Sequence, residues 1–219
     1  MQDLINRLFQ GVPIGTYVDV GCNHPIRESL TYPLYERGWR GLCVDPNPDF
    51  ADEWRGAREG DAFVVAAISD DLTSRDFYLG SDSSLSTFDA DYANSHSKRG
   101  VRFKVTHVHP KTLASVVSEH LPSESEIHLL CVDTEGHEIN VLRSLFNRSN
   151  LKAPSFLPGA IIVEIKNLSL MRPIVNQTEI ADMLLDIGYV MVAKDLLNAC
   201  FIMPEKPYFK WIPIALTRT

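Results

Sequence analysis

The chain has 219 residues, 45% hydrophobic and 22% charged, with 21 Lys and Arg against 28 Asp and Glu for a formal charge of −7. An acidic excess argues against a binder of phosphate backbones, which gathers basic side chains on one face. The length suits a single domain over 1–219 that buries about 70–75% of its unfolded surface, so no disulfide or structural metal is needed.

Residues 1–14 place apolar side chains at helical spacing, without the basic start and unbroken apolar stretch of a signal peptide, and predict an N-terminal helix. Thr16 to Val20 is a β-rich run ending at Gly21. A helix follows over 29–37, with Gly38 as its stop and Pro33 making its start irregular. Gly41 to Asp45 predicts a second strand, halted by Pro46 and Pro48. A short helix is expected over 50–58 and a buried strand over 62–68. Phe77 to Leu79 suggests a short extra strand. The stretch 81–100 is polar, rich in Ser and Asp and weakly periodic, as in a lid, a binding loop or disorder. Residues 101–108 alternate with period 2 and predict a half-exposed strand. Then come a helix over 111–120, a buried strand over 127–132, a helix over 138–146, a strand over 160–165 and a helix over about 177–187. A closing hairpin over 189–193 and 199–203 turns around Asp195. This alternation predicts an α/β fold with a mostly parallel sheet of about seven strands and crossover helices.

No window approaches about 18 uninterrupted apolar residues, so no membrane span is expected. Cys22, Cys43, Cys131 and Cys200 are widely spaced with no C-x-x-C pair, and read as reduced thiols of a cytoplasmic protein.

In open α/β sheets ligands bind beyond the carboxyl ends of the strands, so polar residues that follow apolar runs are the candidates. Val18-Asp19-Val20-Gly21-Cys22-Asn23-His24 puts an acid inside a strand and a glycine two residues later, which permits a tight turn close to a ligand. It lacks the later glycines of a dinucleotide fingerprint, and by itself is equally a plain strand-to-helix turn. Asp45-Pro46-Asn47 ends the second strand, where a carboxylate can accept from both hydroxyls of a ribose, with helix capping as the alternative. Val132-Asp133-Thr134-Glu135-Gly136-His137-Glu138 crowds four ionisable groups after a buried strand. The helix dipole accounts for Glu138 but hardly for Asp133. Glu164, near Lys166 and Asn167, ends the next strand. His107 and His109 share a strand face but have no evident third ligand, and read as exposed strand positions.

Tyr17-Val18-Asp19-Val20-Gly21-Cys22-Asn23-His24-Pro25, then Ser29 and Thr31, Arg37-Gly38-Trp39-Arg40-Gly41 and Val44-Asp45-Pro46-Asn47-Pro48 resemble the FkbM-type methyltransferases. Cys131 to Glu138, with Val141-Leu142, is similar to that family's D-x-E-G-x-E block, and Ile162-Val163-Glu164 to its next strand. The ordered blocks run from about Thr16 to Ile187. The resemblance implies a three-layer, Rossmann-like class I fold for S-adenosylmethionine (SAM), sheet order 3-2-1-4-5-7-6, last strand antiparallel. It also implies SAM-dependent O-methylation of a sugar, glycolipid or polyketide-like molecule.

By position, the resemblance puts Asp19, Gly21, Cys22 and Asn23 at the methionine end of SAM. Asp45, with Pro46 and Asn47, would hold the ribose; Ala67 and Ile68 would flank the adenine; Asp133 would border the cofactor. Asp45 stands where many relatives have glutamate, and His24-Pro25 replaces a glycine in the first loop. An alcohol needs a base or a metal to attack at neutral pH. His137 is the natural base. Asp133 and Glu135 would orient the acceptor, or join Glu164 around a divalent metal, the less favoured alternative. The expected partner is a small-molecule or glycan acceptor, with no nucleic acid. Two other functions fit less well: a nicotinamide-dependent oxidoreductase, and a SAM-binding module without catalysis.

Overall fold

The computed structural model describes residues 1–146, 156–165 and 175–209, the side chains of 175–178 excepted; Lys166 and Asn167 lie outside the described residues. The central strands are β1 (Thr16–Val20), β2 (Arg40–Asp45) and β3 (Ala62–Val65). Two further strands, β4 (Arg75–Gly80) and β5 (Phe103–Val108), pair antiparallel outside the main sheet. Then follow β6 (Leu129–Val132), β7 (Ala160–Glu164), β8 (Val190–Lys194) and β9 (Asn198–Ile202). The main sheet has seven strands in the order β3-β2-β1-β6-β7-β9-β8. Counting only those strands, this is the implied 3-2-1-4-5-7-6. β9 runs antiparallel to both β7 and β8, while the other pairs are parallel.

The inner strands bury both faces, as parallel strands between helix layers must. Val18, Val20, Leu42, Val44, Leu130 and Val132 meet α5 (Leu113–His120), α6 (Glu138–Leu145) and α7 (Val175–Ile187) on one side. Tyr17, Cys43, Leu129 and Cys131 meet α1 (Gln2–Leu8), α2 (Tyr32–Glu36) and α3 (Ala51–Ala57) on the other. All four cysteines are free and buried. Among the described residues, no helix is long and apolar enough to cross a membrane.

The boundaries differ from expectation where local chemistry overrides periodicity. α1 ends at Leu8 instead of reaching residue 14. α2 begins only at Tyr32, so that Pro33 sits in its first turn, where a missing N–H costs nothing. β3 stops at Val65; beyond it Ile68 pairs with Lys111. The largest difference is in 81–100, which is built rather than structureless. It holds a 3-10 turn (Ser83–Leu85) and α4 (Ala90–Ser97), capped by Asp89, which accepts from the Asp91 and Tyr92 amides.

Candidate active site

Strand order reverses between β2 and β6 on either side of β1, and a cavity of about 520 Å³ opens beyond the carboxyl ends of these strands. Gly21 makes the turn out of β1 at φ 77°; a Cβ there would lie 1.7 Å from the Asp133 carbonyl oxygen, so only glycine lets the two loops meet. The Gly21 and Cys22 amides donate to the Val44 carbonyl at 2.9 and 3.3 Å, tying the loop to β2. Burial pushes the Cys22 thiol well above its ordinary pKa.

Two acids, nearly flush with the cavity wall, follow from this geometry. Asp19 is 7% exposed, and Thr31 Oγ1 donates to its Oδ2 at 2.6 Å. Burial raises its pKa against the pull of that hydroxyl and of Arg58. Asp45 is 8% exposed; its Oδ2 accepts from the Asn23 amide at 2.9 Å and its Oδ1 from the Asn47 amide at 2.8 Å. Burial lifts it to about 6, and the two amide bonds oppose the rise. Both oxygens keep a lone pair for a ligand. Asn23 adopts φ 48°, and its carbonyl accepts from Trp54 Nε1 at 2.7 Å.

The 133–138 turn separates into parts with different work. Buried Glu138 folds back: its Oε1 accepts from the Thr134 amide at 3.0 Å, the Gly136 amide at 2.9 Å and Thr134 Oγ1 at 3.3 Å. It closes the 134–136 turn ahead of α6 and is not among the residues that line the cavity. Asp133 and Glu135 line the cavity, and their carboxylate oxygens and one of Glu164 lie within 4.8 Å of one another, a spacing that suits a hard cation. His137 Nε2 lies 3.1 Å from Ser69 Oγ, with the Phe88 ring 4.8 Å away. Burial, helped by the nearby Arg75, lowers His137 to about 4, so the ring is neutral at pH 7.

Asp19, Gly21, Cys22, Asn23, Asp45, Pro46, Ala67, Ile68, Asp133, Glu135 and His137 all border this one cavity. Asn47 does not: its side chain caps the 3-10 turn after β2 by accepting from the Asp49 amide. Glu164 is buried beside the acids without lining the cavity. His107 instead pairs with Asp76 on the β4–β5 sheet.

The 81–100 stretch, expected as a lid, a binding loop or disorder, contributes to the cavity lining, and two further features escaped sequence reasoning. Asp82, Ser83, Ser84, Ser86 and Phe88 form a cavity wall, fastened to the first loop by Ser83 Oγ donating to Asn23 Oδ1 at 3.0 Å. Tyr92 and Thr87 reach across to Glu135. Arg58 is a buried cation that donates to Asp61, Tyr17, Thr31, Ser29 and the Pro25 carbonyl while stacking 4.5 Å over Trp54. Through Thr31 it reaches Asp19, so the cavity's deepest acid rests on a satisfied ionic network.

Over residues 19–191 the chain matches the family described as the methyltransferase FkbM domain. No curated protein matches it. Among solved structures it is similar to a TehB-like SAM-dependent methyltransferase from Corynebacterium glutamicum ATCC 13032. That pair shares 13% identity over 90% of this chain and 85% of that chain, with a TM-score of 0.41.

Proposed function

The chain belongs to the FkbM methyltransferase family, whose activity is SAM-dependent methylation, and we propose that it methylates a hydroxyl of an uncharged, hydroxyl-rich small molecule. Sugars, glycolipids and polyketide-like compounds are the candidate acceptors. The carrying observation is the cavity itself, whose lining is chemically of two kinds. Asp19, Asp45, Ala67 and Ile68 are one set of its lining side chains, which we assign to a cofactor half; Ser83, Ser84, Ser86, Phe88, Glu135 and His137 are the other, which we assign to an acceptor half.

The first half fits SAM. The whole cavity, about 520 Å³, falls in the range of about 300–1,000 Å³ usual for ligand sites. Asp45 keeps a lone pair on each oxygen for the two ribose hydroxyls, and Ala67 and Ile68 supply apolar contact for a base. Buried Asp19 offers negative charge to a cationic ligand. When bound, SAM supplies an electrophilic methyl on a sulfonium.

The second half fits an alcohol. The serine hydroxyls can donate to and accept from sugar hydroxyls, and the Phe88 ring offers a face to apolar C–H groups. Neutral His137 can accept the hydroxyl proton at its ring while Glu135 orients the oxygen, and much of the rate comes from holding the reactants in line. The 81–97 segment is the acceptor-side wall in this reading. A second reading keeps the same site but activates the alcohol on a divalent cation held by Asp133, Glu135 and Glu164. It is favoured by the 4.8 Å clustering and by the weak basicity of a His137 ring lowered to about 4.

Incubation with methyl-labelled SAM and a panel of neutral glycosides, their phosphorylated counterparts and simple amines tests the proposal. Label appearing in an alkali-stable ether of a neutral glycoside is the expected result; transfer only to amines or only to phosphorylated sugars would refute it. Loss of transfer in EDTA, restored by Mg²⁺ or Mn²⁺, would select the cation reading.

A further inference from the structure

We propose that Tyr92 and Thr87 are positioning residues that clamp Glu135 with its carboxylate in the acceptor half of the cavity. The inference rests on the acceptor-side reading of Glu135 given above. Glu135 has φ 53° and Gly136 has φ 102°, two successive left-handed residues, the first of them not glycine. Such a backbone persists only where its surroundings over-determine it. The surroundings here come from two directions. From below, Glu138 binds the Thr134 and Gly136 amides on either side of Glu135. From the 81–97 segment, Thr87 Oγ1 donates to the Glu135 carbonyl at 3.0 Å, and the Tyr92 hydroxyl donates to Glu135 Oε2 at 3.0 Å.

Both donors stand on fixed supports. Thr87 is 1% exposed and exchanges backbone hydrogen bonds of 2.9 and 3.1 Å with Tyr78 of β4. Tyr92 lies in the first turn of α4, where the Asp89 cap takes its amide at 3.0 Å and Ala93 is buried next to it. The clamp also has a load to carry. The carboxylates of Asp133 and Glu164 lie within 4.8 Å of that of Glu135, and like charges this close push one another apart. A hydrogen bond donated to a carboxylate is among the stronger kinds, and one donated from rigid structure fixes direction as well.

The test needs no acceptor. S-adenosylhomocysteine and sinefungin share the adenosine and amino-acid ends, but sinefungin carries an ammonium-bearing carbon where SAM carries its methyl. The ratio of their Kd values, measured by titration calorimetry, therefore reads the negative charge facing the methyl position. Wild-type protein is expected to prefer sinefungin, and Glu135→Gln to lose about tenfold of that preference. Tyr92→Phe, which removes one hydroxyl, should lose about three- to tenfold. Thr87→Val should follow it and Thr87→Ser should not. In the Glu135→Gln background Tyr92→Phe should change nothing further, because a residue acting through Glu135 has nothing left to position.

A merely structural Tyr92 would lower affinity for both compounds alike, or act equally in both backgrounds; either result overturns the clamp. So does an unchanged ratio in Tyr92→Phe when Glu135→Gln shifts it. A ratio that Glu135→Gln itself leaves untouched removes the acceptor-side reading of Glu135 and the clamp with it. Failure of the wild-type protein to bind either compound removes the cofactor reading.

Discussion

Asp45→Asn is the sharpest probe of the cofactor half, because the structure leaves the amide no comfortable orientation. Each carboxylate oxygen of Asp45 already takes a backbone amide, Oδ1 from Asn47 and Oδ2 from Asn23. Whichever way an asparagine turns, its NH₂ meets an N–H, and one buried donor is stranded at a cost of about 1–3 kcal/mol. For a chain of this size that lowers Tm by about 5 °C. A ribose hydroxyl loses its charged acceptor as well, worth about 1.5–3 kcal/mol, so SAM should bind about ten- to a hundredfold more weakly. A second signature follows from titration. Burial lifts Asp45 to about 6, and only the ionised form accepts from two hydroxyls while holding both amides. Affinity should thus be full above that pH and fall about tenfold from about pH 7.5 to about pH 5. Asp19, also raised by burial, is common to both proteins, so the ratio of wild-type to variant Kd isolates Asp45. Calorimetric titration with S-adenosylhomocysteine at the two pH values measures all of this. Equal affinities for the two proteins at about pH 7.5, or a wild-type to variant Kd ratio that does not rise toward one at the lower pH, would refute the ribose assignment.

Three other outcomes are expected. Gly21→Ala puts a methyl against the Asp133 carbonyl and an L-residue at φ 77°; the left-handed strain alone is about 1–2 kcal/mol, and both stability and cofactor affinity should drop in calorimetry. Arg58→Met leaves the buried Asp61 carboxylate without its cation; loss of about 3–5 kcal/mol should appear as a Tm lower by about 10 °C or more, and an unchanged Tm would show the network to be idle. His137→Ala should leave S-adenosylhomocysteine binding within about twofold while methyl transfer to the responding glycoside falls by about a hundredfold or more, the usual share of a general base; full turnover would remove the base.

The sheet was legible because its strands are short and apolar, several of them bounded by Gly or Pro, and because β2 and β6 carry an acid at or just beyond the last apolar residue while β1 carries Asp19 one residue before it. That pattern was enough to bring Asp19, Asp45 and Asp133 to one cavity. α4 was not legible, since Ala93 is its one buried residue and no apolar stripe exists to read; the capping signal, Asp89 before Ala90-Asp91, was present but has no weight without a periodic helix behind it. Arg58 stands at the end of the short helix expected over 50–58, with nothing in its spacing to mark it as buried. Its partners Asp61 at i+3 and Thr31, Tyr17 and Pro25 far away in sequence make it a core residue, and periodicity has no access to such pairing. In the crowd of charges at 133–138 the helix dipole already set Glu138 apart from Asp133, but did not show what each one binds. The backbone reversal at Glu135 and Gly136 separates Glu138, which binds amides, from Asp133 and Glu135, which face the cavity.

That separation changes what the acidic balance of the chain means. Glu138 and Asp61 spend their charge on amides and on Arg58, so they add nothing to the field a ligand meets. The carboxylates that do border the cavity are Asp19, Glu28, Asp45, Asp82, Asp133 and Glu135, and Arg27 is the guanidinium among the lining side chains. A cationic sulfonium cofactor would offset part of that excess on binding and so favour the ionised forms of Asp19 and Asp45, which burial disfavours. An acceptor carrying a phosphate would restore the repulsion that the cofactor had relieved, at the low-dielectric floor of the cavity where it is screened least. A neutral polyol meets the same carboxylates as hydrogen-bond acceptors and pays no such penalty. The neutral glycosides and their phosphorylated counterparts in the transfer assay therefore differ in the one property that the cavity's charge distribution discriminates most strongly.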